Sequence, residues 1–169
     1  MGLANSTVGI TDPEGRPARH AARGGVGAIM GAKGLKAIVV DDSEGSLRKA
    51  VNEEVFKAAV KAATEAIQTG PYTEPMHNFG TPLFVDVDND RGSLPTHNHR
   101  LGSFEKRQDI NVAKLLQVNQ ERGGSMGHGC MPGCVVRCSP IFHDPSGKFL
   151  TAGFEYETIA MLGSNLGIS

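Results

Sequence analysis

Cys130, Cys134 and Cys138 are the only cysteines of the chain, and they fall within one short segment at C-x3-C-x3-C spacing. An odd set of thiols cannot all pair as disulfides. A compact group of them is hard to keep reduced and idle unless something binds it. Pro132 and Gly133 lie between the first two of them and permit a tight turn, and small residues allow a close approach of backbone N–H groups to sulfur. The chemistry this favours is a [4Fe–4S] cluster, because short spacers let one loop reach several irons. Three thiolates leave the fourth ligand to come from elsewhere. A zinc site of the Cys3His type, with His128 or His143 completing the set in a non-enzymatic module, is the competing reading. Plain buried cysteines are the bland one.

Four other groups could do chemistry. The stretch Arg23 to Gly34 holds the densest glycine of the chain, and its backbone N–H groups, with Arg23 beside them, could face an anion. It is neither a Walker A sequence nor a complete G-x-G-x-x-G, since position 30 is Met. Glu155 and Glu157 place two carboxylates at the start of a helix shortly after the cysteines. They would serve either as complements of the helix dipole or as a proton donor or acceptor at a redox site. His97 and His99 would point the same way on a strand, without carboxylates at a matching distance. Asp86, Asp88 and Asp90 resemble the opening of a calcium loop. Arg91 stands where such a loop needs glycine, and His97 where it needs glutamate, so a solvated loop is expected there.

These groups must be positioned by short elements. The clearest is a helix over residues 52–69, with Asn52 as N-cap, Glu53 and Glu54 in the first turn and Gly70-Pro71 as the stop. Phe56, Ala59, Val60, Ala63 and Ile67 form one stripe on it. Leu35 to Val40 has the pattern of a strand, and Asp41 to Gly45 that of a linker. Residues 71–101 read as irregular, 109–120 and 155–166 as helices. Glycine is abundant at 22 residues, so much of the chain is turn or close-approach loop. With 17 Lys+Arg against 18 Asp+Glu, a nucleic-acid partner is not expected. No apolar run is long enough for a membrane span, the N-terminus lacks the pattern of a secretory signal, and clustered thiols suit a reducing, cytoplasmic setting. Gly2 followed by Ser6 loosely fits an acylation pattern.

Several separated segments share one resemblance. Arg23-Gly24-Gly25-Val26-Gly27-Ala28-Ile29-Met30-Gly31-Ala32-Lys33-Gly34-Leu35-Lys36-Ala37-Ile38 resembles the R-G-G-x-G-A-x-M-G-x-K-x-L-K-A-I segment of the tungsten-containing aldehyde ferredoxin oxidoreductase family. Gly92-Ser93-Leu94-Pro95-Thr96-His97-Asn98 resembles its G-x-L-P-T-x-N segment. The cysteines and Glu155-Tyr156-Glu157-Thr158 follow in the family's order. The resemblance implies an aldehyde oxidoreductase with a tungsten (or molybdenum) bis-pterin and a nearby [4Fe–4S] cluster that passes electrons to ferredoxin or a similar carrier. It implies that Arg23, Gly24 and Gly25 bind the pterin cofactor, that Cys130, Cys134 and Cys138 ligate the cluster, and that Glu155 or Glu157 faces the metal. The family's common C-x2-C-x3-C is here C-x3-C-x3-C, which implies a divergent branch.

The fold class expected on this basis is α+β. Residues 1–42 would be the tail of a pterin-binding β domain. Residues 45–169 would begin a mainly α-helical iron–sulfur domain. Family members are several times longer, so the chain is expected to be an internal fragment starting at a methionine and inactive by itself, with the fourth cluster ligand outside it.

Overall fold

The computed structural model describes residues 3, 5–11 and 14–169. Gly2, on which the loose acylation pattern depends, lies outside them, as do a few other positions of the expected 1–42 unit. Helix and sheet are mixed, in keeping with an α+β class. Strands β1 (Val8–Thr11) and β2 (Pro17–Ala21) form an antiparallel hairpin with Ile10 opposite Arg19. A short 3-10 turn, Arg23–Gly25, leads into helix α1 (Val26–Ala32). The expected strand at 35–40 does not form. Leu35, Ile38, Val39 and Val40 are largely exposed, and no neighbouring strand pairs with them among the described residues. An apolar run becomes a strand only where a partner accepts its backbone hydrogen bonds.

Helix α2 (Glu53–Gln68) forms as its sequence pattern requires. Asn52 is extended, and its side-chain oxygen accepts the Val55 N–H at 3.0 Å. Its apolar stripe is not covered by described residues, since Phe56 and Val60 remain exposed.

Residues 71–101 are more regular than their prolines and glycines suggest. They contain α3 (Thr73–Phe79), a 3-10 turn at Thr81–Leu83 and α4 (Phe84–Arg91). Gly80 and Gly92 end the two helices, and Pro82 sits in the first turn of the next element, where a missing N–H costs little. The turn residues were punctuation between short helices. Asp86, Asp88 and Asp90 therefore lie on a helix, not a loop. Asp86 pairs with Arg107 and Asn111, Asp88 with Ser93, and Asp90 with Arg107. Nor do His97 and His99 lie on a strand. His97, Asn98 and His99 all adopt left-handed backbone, with φ of 49°, 58° and 59°. The strain of three such residues is offset by bonds to the C-terminal turn: His97 N–H to the Ser164 carbonyl, Asn98 N–H to the Asn165 carbonyl, and His99 N–H to Asn165 Oδ1.

The core gathers Val85 of α4, Leu94, Phe104, Ile110, and Ile159 and Ala160 of α6 (Tyr156–Leu162). Leu115 of α5 (Val112–Arg122), Phe154 and Tyr156 pack against it. Burial and a hydrogen bond to the Asp88 carboxylate push the Tyr156 hydroxyl above its ordinary range. Asn111 caps α5 as Asn52 caps α2. The second sheet is antiparallel, in the order β3 (Ser125–His128), β4 (Ser139–His143), β5 (Phe149–Ala152). The β4–β5 turn is closed by Asp144, whose Oδ1 accepts from Ser146 N and Oγ and from Lys148 N. The Ser146 hydroxyl first, then the backbone donors, hold its carboxyl below the usual range. This turn is thus stabilised above the ordinary aspartate pKa and loosens as pH falls through the lowered value. An NMR titration should show the Asp144 carboxyl midpoint below that of an unstructured peptide, with the Lys148 amide signal moving in step.

Candidate redox site

The cysteine segment is the connection between β3 and β4. Pairing of His128 with Ser139 pins its two ends, so Cys130 and Cys138 start and finish the loop. At its middle, the Cys134 N–H closes on the Met131 carbonyl at 3.3 Å around Pro132-Gly133, with Gly133 at φ 75°. That is the position a type II turn reserves for glycine, and Pro132 supplies the preset φ before it. The Arg137 N–H donates to Cys134 Sγ at 3.3 Å. All three cysteines are half-buried and unpaired.

Gly80, the C-cap of α3, holds the far end of this loop. Its φ is 63°, and a Cβ there would lie 2.5 Å from the Cys138 carbonyl oxygen. Gly80→Ala should therefore destabilise the chain by on the order of 2–3 kcal/mol. Gly92→Ala, at a similar φ but with open space around it, should cost less. Urea unfolding of the two variants checks the difference.

Arg19 on β2 reaches this loop across the hairpin. Its Nε and Nη2 donate to Cys130 Sγ at 3.3 and 3.2 Å, and its Nη1 donates to Glu155 Oε1 at 2.5 Å. Burial opposes the arginine charge, yet the bond to Cys130 and the Glu155 carboxylate raise its pKa further above the ordinary value. Burial pushes the Cys138 thiol up, Glu155 and Cys134 add to that, and Arg19 opposes it.

Glu155 is the N-cap residue of α6, but its side chain makes no capping bond and is spent on Arg19 instead. Its neighbour Tyr156 is tied through its N–H to Thr81 Oγ1 at 2.9 Å. Burial of Ile159 and Ala160 anchors the helix behind. Glu157, by contrast, is exposed in the first helical turn, where the dipole accounts for it.

Arg19, His20, Arg23, Glu155, Glu157 and Thr158 line one cleft of about 600 Å³. The fold thus brings Arg23 and both candidate carboxylates together, although they are far apart in sequence. Gly24 and Gly25, next to Arg23, are both left-handed (φ 79° and 69°), a conformation that glycine adopts without strain. Arg19, His20 and Thr158 were not legible as site residues. Arg19 and His20 lie in a strand whose alternation carries no marker of function, and only the pairing of distant elements exposes them. A second cavity, of about 430 Å³, is lined by Cys134, His128 and Arg137. His143 turns away from it, its Nδ1 at 3.3 Å from the Arg122 carbonyl.

The donor set has the chemistry of a soft-metal centre: three unpaired thiols on one loop, with a backbone N–H directed at one sulfur. The sulfurs are not drawn together on one point. Among the described residues, no three His, Cys, Asp or Glu side chains form a metal-holding group. Ligation of a cluster would need the loop to close.

The family model for "aldehyde ferredoxin oxidoreductase, domains 2 & 3" matches residues 58–169, and the model for the N-terminal domain of the same enzymes matches residues 2–42. The chain belongs to the aldehyde ferredoxin oxidoreductase family. It is 34% identical over 157 residues to the tungsten-containing aldehyde ferredoxin oxidoreductase of Thermococcus kodakarensis, covering 89% of this chain and 24% of that protein. Identity to the Pyrococcus horikoshii enzyme of the same name is 35% over 158 residues, with the same coverage. A further family relative, the aliphatic sulfonate oxidoreductase, WOR-like subunit, of Pyrococcus furiosus, is 27% identical over 151 residues, covering 88% of this chain and 23% of that protein. The chain spans about a quarter of the length of these oxidoreductases. Among the described residues, no helix is long and apolar enough to cross a membrane.

Proposed function

We propose that these residues belong to a tungsten (or molybdenum) bis-pterin oxidoreductase that oxidises an aldehyde to a carboxylic acid. The electrons would leave through a [4Fe–4S] cluster to ferredoxin or a similar carrier. The observation that carries this reading is the single cleft holding Arg23, Glu155 and Glu157, joined through Arg19 to Cys130. Membership of the family supports it. The overall change is RCHO + H2O → RCOOH + 2 H⁺ + 2 e⁻, with the electrons taken singly by two carrier molecules.

When bound, the bis-pterin metal supplies the two-electron acceptor and the cluster the one-electron relay. The protein's own residues do the rest. Arg23, with the left-handed Gly24-Gly25 turn, holds the anionic pterin phosphates by charge and backbone N–H groups. Cys130, Cys134 and Cys138 would supply three cluster ligands once their loop closes. Glu155 is the carboxylate at the reacting centre. Its Oε1 is bound to Arg19, and its carboxylate would accept the proton released as the substrate is oxidised. Glu157, exposed, is the weaker candidate.

On this reading residues 1–42 are the tail of the pterin-binding β domain and residues 45–169 the start of the cluster-binding domain, where the three-stranded sheet carries the cysteine loop. The two separate family matches favour this division. Unpaired cysteines suit a cytoplasmic protein. The C-x3-C-x3-C spacing and the likeness to a sulfonate oxidoreductase subunit widen the substrate class to small molecules undergoing a related two-electron oxidation.

Anaerobic purification of the full-length enzyme tests the reading. Expected are about four irons per chain with visible iron–sulfur absorbance, bound tungsten or molybdenum, and aldehyde-dependent reduction of a viologen dye. The 169 residues alone should give no such turnover. One tightly held zinc without a chromophore in the full-length protein would overturn the assignment.

A further inference from the structure

We propose that an apolar cavity beside the cleft is the specificity pocket for the substrate's non-reacting end, and that it takes an uncharged alkyl or aryl group of about six carbons. The proposal rests on the cleft being the place where the reacting group lies, and needs neither a metal nor the cysteine loop. The cavity, of about 200 Å³, is lined by Ile110, Leu115, Phe154, Ile159 and Leu162. Thr158 borders both this cavity and the cleft that holds Arg23, Glu155 and Glu157. The two spaces are therefore neighbours across one side chain.

The local chain explains why a polar and an apolar wall meet here. Gly153 and Glu155 line the cleft, whereas Phe154 between them lines the cavity. Thr158, Ile159 and Leu162 follow Glu155 at i+3, i+4 and i+7, along one face of α6. A molecule whose polar end lies against Glu155 thus has an apolar path along the same helix. The inner wall is fixed: Ile110 and Ile159 belong to the core, and the Phe154 ring meets Phe142 edge to face at 5.7 Å. A cavity of about 150 Å³ with a Leu, Ile and Phe lining stays dry and accepts benzene. This one is matched to a phenyl or a butyl-to-hexyl group, whose binding gains from the apolar surface removed from water. Asp109 borders the cavity too and repels an acidic tail, so a group carrying a second carboxylate is disfavoured.

The experiment uses the full-length enzyme and a series of primary amides, which share the shape of the carboxylic acid product and undergo no turnover. Affinity is read by calorimetry and, separately, as competitive inhibition of aldehyde-dependent viologen reduction. From acetamide to hexanamide, affinity should rise about two- to fourfold per CH2, and octanamide should gain no more than about threefold over hexanamide because the cavity is full. Leu162 is 59% exposed and outside the core, so Leu162→Ala should fold and cut the hexanamide-to-acetamide affinity ratio by at least about threefold. Thr158→Leu, which enlarges the side chain between the two spaces, should lower the same ratio. Adipic acid monoamide, with its terminal carboxylate, should bind at least about tenfold more weakly than hexanamide. A flat series in the unsubstituted enzyme overturns the proposal. A rise that continues undiminished to octanamide also overturns it, since that is adsorption to open apolar surface. So does a ratio that neither substitution changes, and so do amides that bind without competing with the aldehyde. Equal binding of the monoamide overturns the restriction to uncharged groups. Should Thr158→Leu fail to fold, Leu162→Ala decides. Absence of aldehyde oxidation by the unsubstituted enzyme overturns the aldehyde reading itself, and calorimetry still decides the cavity.

Discussion

Cys134→Ser is expected to cost the full-length enzyme most of its iron and to lower aldehyde-dependent viologen reduction by at least about a hundredfold. Serine is nearly the same size, so the loop keeps its shape. It gives up a soft sulfur donor that ionises readily for a hydroxyl that does not. Cys134 is the informative position because its surroundings are best prepared. The Pro132-Gly133 turn sets its backbone, and the Arg137 N–H already points at its sulfur. Pinning of the loop ends by the His128–Ser139 pair means that losing the middle ligand should leave β3 and β4 intact. Iron analysis, visible absorbance and circular dichroism on the same sample separate a lost cluster from a lost fold. Full iron content in Cys134→Ser would remove this residue from the ligand set.

Glu155→Gln is expected to reduce kcat by about 10²- to 10⁴-fold, the range for removing a general acid–base group, with little change in KM. The substitution preserves volume and hydrogen-bonding shape but removes the charge that faces Arg19. Glu157→Gln should lower kcat by less than about tenfold, because Glu157 is exposed and lies in the first turn of α6, where the helix dipole explains it. Steady-state kinetics on both variants, with iron content held equal, makes the comparison. If the two effects were reversed, the proton-handling role would pass to Glu157.

These two expectations show how unevenly function was legible. Residue types alone pointed to the cysteine loop, because three thiols around Pro132 and Gly133 stand out in any reading, and the structure places all three on one connection between β3 and β4. The rank order of Glu155 and Glu157 was not legible. The two residues have the same side chain, lie two positions apart and both sit at a helix start. Only the arrival of Arg19 from β2 distinguishes them. Arg19 itself carried no mark, because a lone arginine on a short strand is usually a solvated residue. The glycine-rich stretch showed the opposite weakness. Its composition marked it as special, but not that Gly24 and Gly25 would take left-handed backbone directly beside the cleft.

Local rules succeeded wherever the chain satisfies its own hydrogen bonds. The Asn52 cap and acidic first turn of α2, the α5 helix and the turn in the cysteine loop all follow from neighbours in sequence. They failed where partners are distant. Leu35 to Val40 has a strand's composition but no paired strand among the described residues, and so stays irregular. The aspartates at 86, 88 and 90 had the pattern of a loop, yet lie on a helix whose Val85 is buried in the core and whose acids meet Arg107, Ser93 and Asn111. His97 to His99 adopt left-handed backbone because the turn around Ser164 and Asn165 accepts their N–H groups. The sequence by itself thus determined the family, through several separated motifs, and the locally capped elements, which depend on residues within a few positions of one another. The tertiary structure alone decided which carboxylate meets the cation and which arginine meets a cysteine sulfur. Those contacts join β2, the cysteine loop and α6 across more than a hundred residues, and no local pattern encodes a partner at that distance.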